Sequence, residues 1–276
     1  MKSVMALSLG ISLLTVSCSL SSKPPPGIPV TGNTEPSVSP SAVAATATPI
    51  RGSALVFDGQ DDYVMVADSP SLDLQSSFTI AAWIYLESYT GWASILTKGD
   101  KPNINNYAIQ QSEPFDPVYH TEFGRLRFSG CFAQPSPLPE SETVLSLKVW
   151  HFVAVTFDGL QIRFYTDGQP DGLGRIVGPL CTNDKPLYIG ADFPLTSEYW
   201  HGAIDELQIW NVPLSDPQIH DLMNGVQPPL DSTLVGYWSF DEGSGSIAFD
   251  RSSYRNDGQL IGNPTWVKVD PKGLSR

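Results

Sequence analysis

Between Ala54 and Trp210 turn residues recur about every eight to twelve positions, and the segments between them alternate apolar and polar residues. Phe78, Ile80, Ala82, Ile84 and Leu86 share one face, and Thr79, Ala81, Trp83 and Tyr85 share the other. That period of two is a strand with two distinct sides. Ala54 to Asp68 reads as two short strands around an Asp-Gly turn. Further strands are predicted over Trp92 to Lys98, Tyr107 to Gln111, Arg125 to Phe132, Trp150 to Gly159, Gln161 to Gly168 and Leu187 to Gly190. Only one helix is predicted, over about 216–224. Ser215 and Gln218 form a capping box at its start, and Gly225 stops it. Many short strands with a single helix make an all-β sandwich of two antiparallel sheets.

The strand before that helix carries a chemical demand. Ala203, Asp205, Leu207 and Ile209 alternate with Ile204, Glu206, Gln208 and Trp210, and Pro213 ends the run because it cannot donate to a ladder. A buried strand holding Asp205 beside Glu206 needs a partner for that charge, since an isolated buried carboxylate is costly.

Several stretches in order carry a family resemblance. They are Leu55-Val-Phe-Asp-Gly-x-Asp-Asp-Tyr-Val, Phe78-Thr-Ile-x-x-Trp-Ile, Trp150-His-x-Val-Ala-Val-Thr-Phe-Asp-Gly, Phe164-Tyr-x-Asp-Gly, and Gly202-x-Ile-Asp-Glu-x-x-Ile-Trp-Asn-x-x-Leu-Ser. Together they resemble the laminin-G-like, concanavalin-A-like lectin and glucanase jelly rolls, over almost all of Ala54 to Val267. The resemblance implies a jelly-roll β-sandwich that recognises a glycan or a cell-surface protein. It also implies a structural calcium ion near Asp205, with Asp250 and Asn256 from an Asp/Asn turn. The opposing reading takes these carboxylates as turn formers and solvated surface. The Glu-x-Asp-x-x-Glu triplet of jelly-roll glucanases is absent, and the histidines show no metal spacing. The expectation is therefore a non-catalytic module with no catalytic residue. The alternatives are a passive structural module of the envelope, or a glycoside hydrolase or lyase with a non-standard site.

The segment from Leu234 to Gly262 is out of its usual place. Its Gly-Tyr-Trp-Ser-Phe-Asp-Glu-Gly-Ser-Gly run resembles the part that normally begins such a domain. Either it is a vestigial second repeat, or it supplies those strands from the other end, as a circular permutation does. Tyr237, Trp238, Phe240, Leu260 and Trp266 are too apolar to lie in solvent, so 234–267 is expected to complete the sandwich.

The first fifty residues are address and tether. Val4 to Val16 is an apolar run too short to span a bilayer and suited to a signal-peptide core over 1–17. Leu14-Thr-Val-Ser-Cys18 resembles a bacterial lipoprotein cleavage box with Cys18 bearing the lipid; ordinary cleavage nearby is the alternative. Residues 18–50 hold seven prolines after Cys18 and no aromatic residue, the composition of a disordered linker. The domain then occupies 51–276. The expected address is the bacterial cell envelope, facing the periplasm or the exterior, with the membrane reached only through the lipid. A net charge of −13 argues against nucleic acid as a partner.

Cys131 and Cys181 remain, and in an exported chain two spare cysteines most simply pair; two free buried thiols are the other possibility. Carboxylates cluster at Asp58, Asp61 and Asp62, at Asp205 and Glu206, and from Asp250 to Asp257. Tyr89, Trp92, Tyr119, Tyr199 and Trp200 fall in or beside predicted loops, where aromatic rings can stack on sugar faces. They are the expected ligand-binding set, with edge packing of the sandwich as the competing role.

Overall fold

The computed structural model describes residues 52–99, 106–112, 123–131, 138–176, 178–192, 198–226, 229–270 and 273–274. Cys18 and Tyr119 lie outside them. The elements in chain order are β1 Ser53–Asp58, β2 Tyr63–Val66, a 3-10 turn Pro70–Leu72, β3 Phe78–Leu86, β4 Ser94–Lys98, β5 Tyr107–Gln111 and β6 Leu126–Gly130. Next come β7 Trp150–Phe157, β8 Gln161–Thr166, β9 Gln169–Arg175, β10 Leu187–Ile189, β11 His201–Trp210 and α1 Asp216–Met223. The chain ends with β12 Leu234–Trp238, β13 Ile247–Ala248, β14 Gly258–Ile261, β15 Thr265–Asp270 and β16 Gly273–Leu274.

Two antiparallel sheets result. The nine-stranded sheet runs β16-β15-β1-β11-β3-β7-β8-β9, with β12 also beside β11; the seven-stranded sheet runs β13-β14-β2-β10-β4-β5-β6. Inward residues such as Phe57, Ile80, Ile84, Val155 and Phe164 meet Val64, Ile109, Phe128 and Ile189 in the main core. The expected jelly-roll sandwich is the fold. The disulfide joins Cys131 to Cys181. Closing a loop of that length contributes about 4 kcal/mol in the chain-entropy model.

β3 is buried at all nine positions, more than its alternation alone dictates. Its inner face packs in the core. Its outer Ala81, Trp83 and Tyr85 join a second apolar cluster with Leu214, Ile219, Leu222 and Met223. The helix α1 therefore covers part of the outer face of the nine-stranded sheet. Two bonds set the corner that brings it there: Thr79 Oγ1 donates to the Val212 carbonyl at 2.9 Å and accepts from the Leu214 amide at 2.8 Å. The backbone amide of Ser215 donates to Gln218 Oε1 at 3.0 Å, closing the capping box the sequence predicts.

The C-terminal strands enter both sheets. β12 pairs with β11, β14 with β2, and β15 with β1. The same edge of β11 is shared: β1 takes His201 to Ile204, and β12 takes Leu207 to Trp210. The hand-over falls on a bulge, where Glu206 adopts φ +49° and the register against β3 shifts.

Candidate functional site

On the seven-stranded sheet, alternation puts Tyr107 and Ile109 of β5 and Leu126 and Phe128 of β6 in the core. Ala108, Gln110, Arg127 and Ser129 therefore face outward. Strand register extends that outer face in two rows. Arg127, Gln110 and Ser94 form one; Ser129, Ala108, Thr97, Tyr188, Met65 and Gln259 form the other.

Most of the first row and the inner half of the second are polar, yet Ser94, Thr97, Gln110 and Arg127 are all buried. Gln110 and Arg127 are bonded to neighbouring side chains, Ser94 Oγ donates to the Trp92 carbonyl at 3.4 Å, and Thr97 Oγ1 has no partner among the described residues. Gln110 Nε2 donates to Asp192 Oδ2, and Ser129 Oγ donates to Gln110 Oε1 at 2.9 Å. Arg127 meets Glu140 Oε1 through Nε at 2.7 Å and Nη2 at 2.6 Å. Its guanidinium also lies 4.6 Å over the Trp92 ring, a cation–π contact. Trp92 is half-buried and takes the left-handed backbone, φ +65°. That conformation carries strain for a non-glycine residue and concentrates at functional positions.

Tyrosines flank the other end. Tyr63 packs on Tyr188 with ring centroids 6.0 Å apart. Tyr199 bridges to Ala191, and its hydroxyl is held above the ordinary tyrosine range by burial, then by Tyr63 and Asp61.

The five aromatic residues singled out from the sequence thus separate. Trp92 reaches the polar face, while Tyr199 is buried beside Ala191. Tyr89 is spent on packing: it stacks on Phe123 at an interplanar angle of 7°, and its hydroxyl donates to the Leu145 carbonyl at 2.6 Å. Trp200 is a correction. It is fully buried in the core, with Nε1 donating to the Ala203 carbonyl at 3.4 Å, so it offers no face to a ligand. It follows Tyr199 with opposite parity, and parity sends it inward. Tyr119 lies outside the described residues.

The expected metal set also divides. Asp250 is fully buried and complete. Its Oδ1 accepts the Tyr237 and Ser252 amides at 2.8 Å each; its Oδ2 accepts Ser252 Oγ at 2.8 Å and the Asn256 amide at 2.7 Å. Asn256 Nδ2 donates to Ser71 Oγ and the Val235 carbonyl, both at 3.0 Å. These two residues tie a turn to the sandwich.

Asp205 differs. It is fully buried, its Oδ1 accepts the Glu206 amide at 2.9 Å, and its Oδ2 has no hydrogen-bond partner among the described residues. Burial, then the charges of Glu206, Asp241 and Glu242, push its carboxyl well above the ordinary range. Burial, with Asp241 beside it, likewise raises Glu206, against the Tyr237 hydroxyl that donates to it at 2.7 Å. Glu242 Oε2 is likewise buried without a hydrogen-bond partner among the described residues. Asp241 and Glu242, which the sequence reading passed over, follow β12 just where the chain leaves the bulge. Arg251 Nη2, 3.8 Å from Glu242, offsets only part of this charge, and the orphaned carboxylate oxygens fit a hard divalent cation, which takes oxygen ligands and cancels the repulsion that remains.

A third acidic group, Asp58, Asp61 and Asp62, presents oxygens all within 4.8 Å of one another and could hold a metal ion. Protein donors already serve two of the three. Asp62 accepts the Asp58 amide at 3.0 Å and the Asn263 amide at 2.6 Å, and Asp58 accepts the Gln60 amide at 2.8 Å.

Comparison with known proteins decides the family. The profile of the concanavalin A-like lectin/glucanases superfamily, in its laminin G form, matches residues 58–220, more than half of the chain. The chain belongs to this superfamily. No curated protein matches it. Among solved structures, a Bacteroides ovatus protein provisionally described as carbohydrate binding aligns with a TM-score of 0.65 at 20% identity, over 80% of this chain and 60% of that one. The chain thus spans about 60% of that protein's length. Domain 4 of an extracellular arabinanase from Geobacillus stearothermophilus, solved with arabinotriose, gives 0.48 at 20% identity, over 62% of this chain and 76% of that one. The SAP-like pentraxin of Limulus polyphemus gives 0.49 at 18%, over 66% and 87%. At 20% identity, what the Bacteroides ovatus protein shares with this chain is the fold.

Proposed function

We propose that this chain is a non-catalytic glycan-binding module, and that the sugar docks on the outer face of the seven-stranded sheet beside Trp92. The observation that carries the reading is the half-buried Trp92 ring, with the part-exposed Ser129 and Glu140 held in place by the buried Gln110 and Arg127. Fixed donors and acceptors next to aromatic rings match the hydroxyls and the apolar faces of a sugar. The superfamily and the Bacteroides ovatus neighbour support it. The two carboxylates of this face are engaged, Glu140 by Arg127 and Asp192 by Gln110, which favours recognition over acid–base work.

A calcium ion held by Asp205, with Glu206, Asp241 and Glu242 beside it, is a structural part of this reading. Its charge would neutralise buried carboxylates at the bulge where β1 gives way to β12. Lipidation at Cys18 would hold the module on the bacterial envelope at the end of its proline-rich tether. A cell-surface glycoprotein would be met through its sugars.

Binding of the full chain to a glycan array, with Trp92→Ala and Gln110→Ala in parallel, tests the function. Wild type should bind a defined set of glycans, both variants should lose at least tenfold in affinity, and no reducing sugar should be released. Equal binding by the variants refutes the placement, and release of reducing sugar refutes the non-catalytic reading. Separately, Cys18→Ala should move the protein from the detergent phase to the aqueous phase; aqueous partitioning by the wild type refutes the anchor.

A further inference from the structure

The helix α1 covers only one end of the outer face of the nine-stranded sheet. It packs where β11 finishes, on Trp210, and the end where β11 begins is left open. There lies a groove of about 590 Å³, within the 300–1,000 Å³ typical of small-molecule sites. Its floor is Tyr85, backed by Trp150 at 5.6 Å, and its apolar walls are Val56 and Val267. Polar groups ring the rim. His201 Nδ1 lies 2.7 Å from Ser88 Oγ, and Lys148 Nζ pairs with Glu87 at 2.9 Å. Lys148 reaches that position from a left-handed backbone, φ +62°, the kind of local strain that a fold tolerates where a side chain must be aimed.

Charge narrows the ligand. The Lys148–Glu87 pair cancels, and Asp58 turns its Oδ1 back to the Gln60 and Asp61 amides at 2.8 and 3.3 Å. The rim therefore keeps only the negative charge of Asp58, which disfavours anions and leaves a neutral ligand unopposed. An aromatic floor with hydroxyl, imidazole and paired charges above it suits a neutral polyhydroxylated ligand.

We propose that this groove is a second glycan site for a neutral oligosaccharide. It lies on the opposite sheet from the first, so one chain bridges two glycan strands. The bridging rests on the glycan reading of the seven-stranded face; the groove itself is carried by different residues. Two sites facing opposite ways cannot engage one short sugar, so they act by cross-linking, and avidity appears only on polymers.

Calorimetry on the full chain with laminaritriose, cellotriose and arabinotriose tests it. A stoichiometry of two is expected for at least one trisaccharide. Thr265→Arg, at an exposed rim position of the groove, should reduce it to one, and so should Trp92→Ala on the other face. The double variant should bind none, with the melting profile of each variant checked against wild type. Loss of the second site should also abolish turbidity with the matching polysaccharide. A stoichiometry of one, removed by Trp92→Ala and untouched by Thr265→Arg, overturns the groove and leaves the first site standing. No binding to any of the three overturns both.

Discussion

The outer face of the nine-stranded sheet carries Trp83, Phe152, Trp210 and an apolar helix, whereas that of the seven-stranded sheet carries Gln110, Arg127, Ser129 and Thr97. Both are buried to a similar degree, but by different chemistry. On the first, burial removes apolar surface from water and stabilises without regard to direction. On the second, buried polar groups call for partners, and Gln110 and Arg127 are held in fixed directions by Asp192, Ser129 and Glu140. A face of the first kind contributes stability. The second kind specifies a geometry, and that is what a ligand can read.

The contrast is sharpest when each face is damaged. Ile219→Asp, a charge at a fully buried helix position, should destabilise by more than about 3 kcal/mol, because nothing apolar can solvate it. Urea unfolding measures it, and a loss below about 1 kcal/mol would mean that α1 is not part of the cooperative unit.

Next in size comes the metal. Two buried carboxylates repeat the comparison: Asp250 has four protein donors, and Asp205 has one donor and an orphaned oxygen. Calcium at a hundred times its dissociation constant should add about 2.7 kcal/mol, or about 5–10 °C in Tm for a domain of this size. Asp205→Asn should erase that shift. Without calcium, the raised Asp205 carboxyl keeps a proton that the unfolded chain releases above about pH 4. The folded state then binds more protons than the unfolded one, so stability falls as pH rises from there through the raised value. Melting in chelator should therefore be higher at pH 5 than at pH 7, and calcium should flatten the difference. Melting curves that ignore both calcium and Asp205→Asn would exclude the ion.

Gln110→Ala comes third, at about 1–3 kcal/mol, since it removes a buried hydrogen bond from the Asp192 carboxylate and another from Ser129. The smallest effect belongs to Met65→Ser, at the open end of the same face, where 37% exposure leaves little to lose: within about 0.5 kcal/mol. Should Met65→Ser cost as much as Gln110→Ala, the polar array would have no special rigidity.

Alternation and capping made the strands and the helix readable, because Phe78–Leu86 and Ser215/Gln218 announce themselves locally. The polar face was not readable. Gln110 and Arg127 sit at outward positions of β5 and β6, and a period of two separates two faces without saying what covers either. Asp241 and Glu242 escaped for a related reason. They approach Asp205 only through the β11–β12 register, and sequence distance conceals that pairing. The doublet Asp205-Glu206 was the visible half of the signal and Asp241-Glu242 the unread half. Asp250 was expected as a calcium ligand together with Asn256, although its following Ser252 and Asn256 already spell a self-satisfied turn. Trp200 was misplaced because its loop was weighed and its parity was not.

The most direct test of the account is the structure of the full chain with the glycan that the array selects. The sugar ring should lie against Trp92 on the outer face of the seven-stranded sheet, within hydrogen-bond reach of Ser129 or Glu140, which the buried Gln110 and Arg127 hold in place. Sugar density confined to other surfaces, with Trp92 untouched, would contradict it.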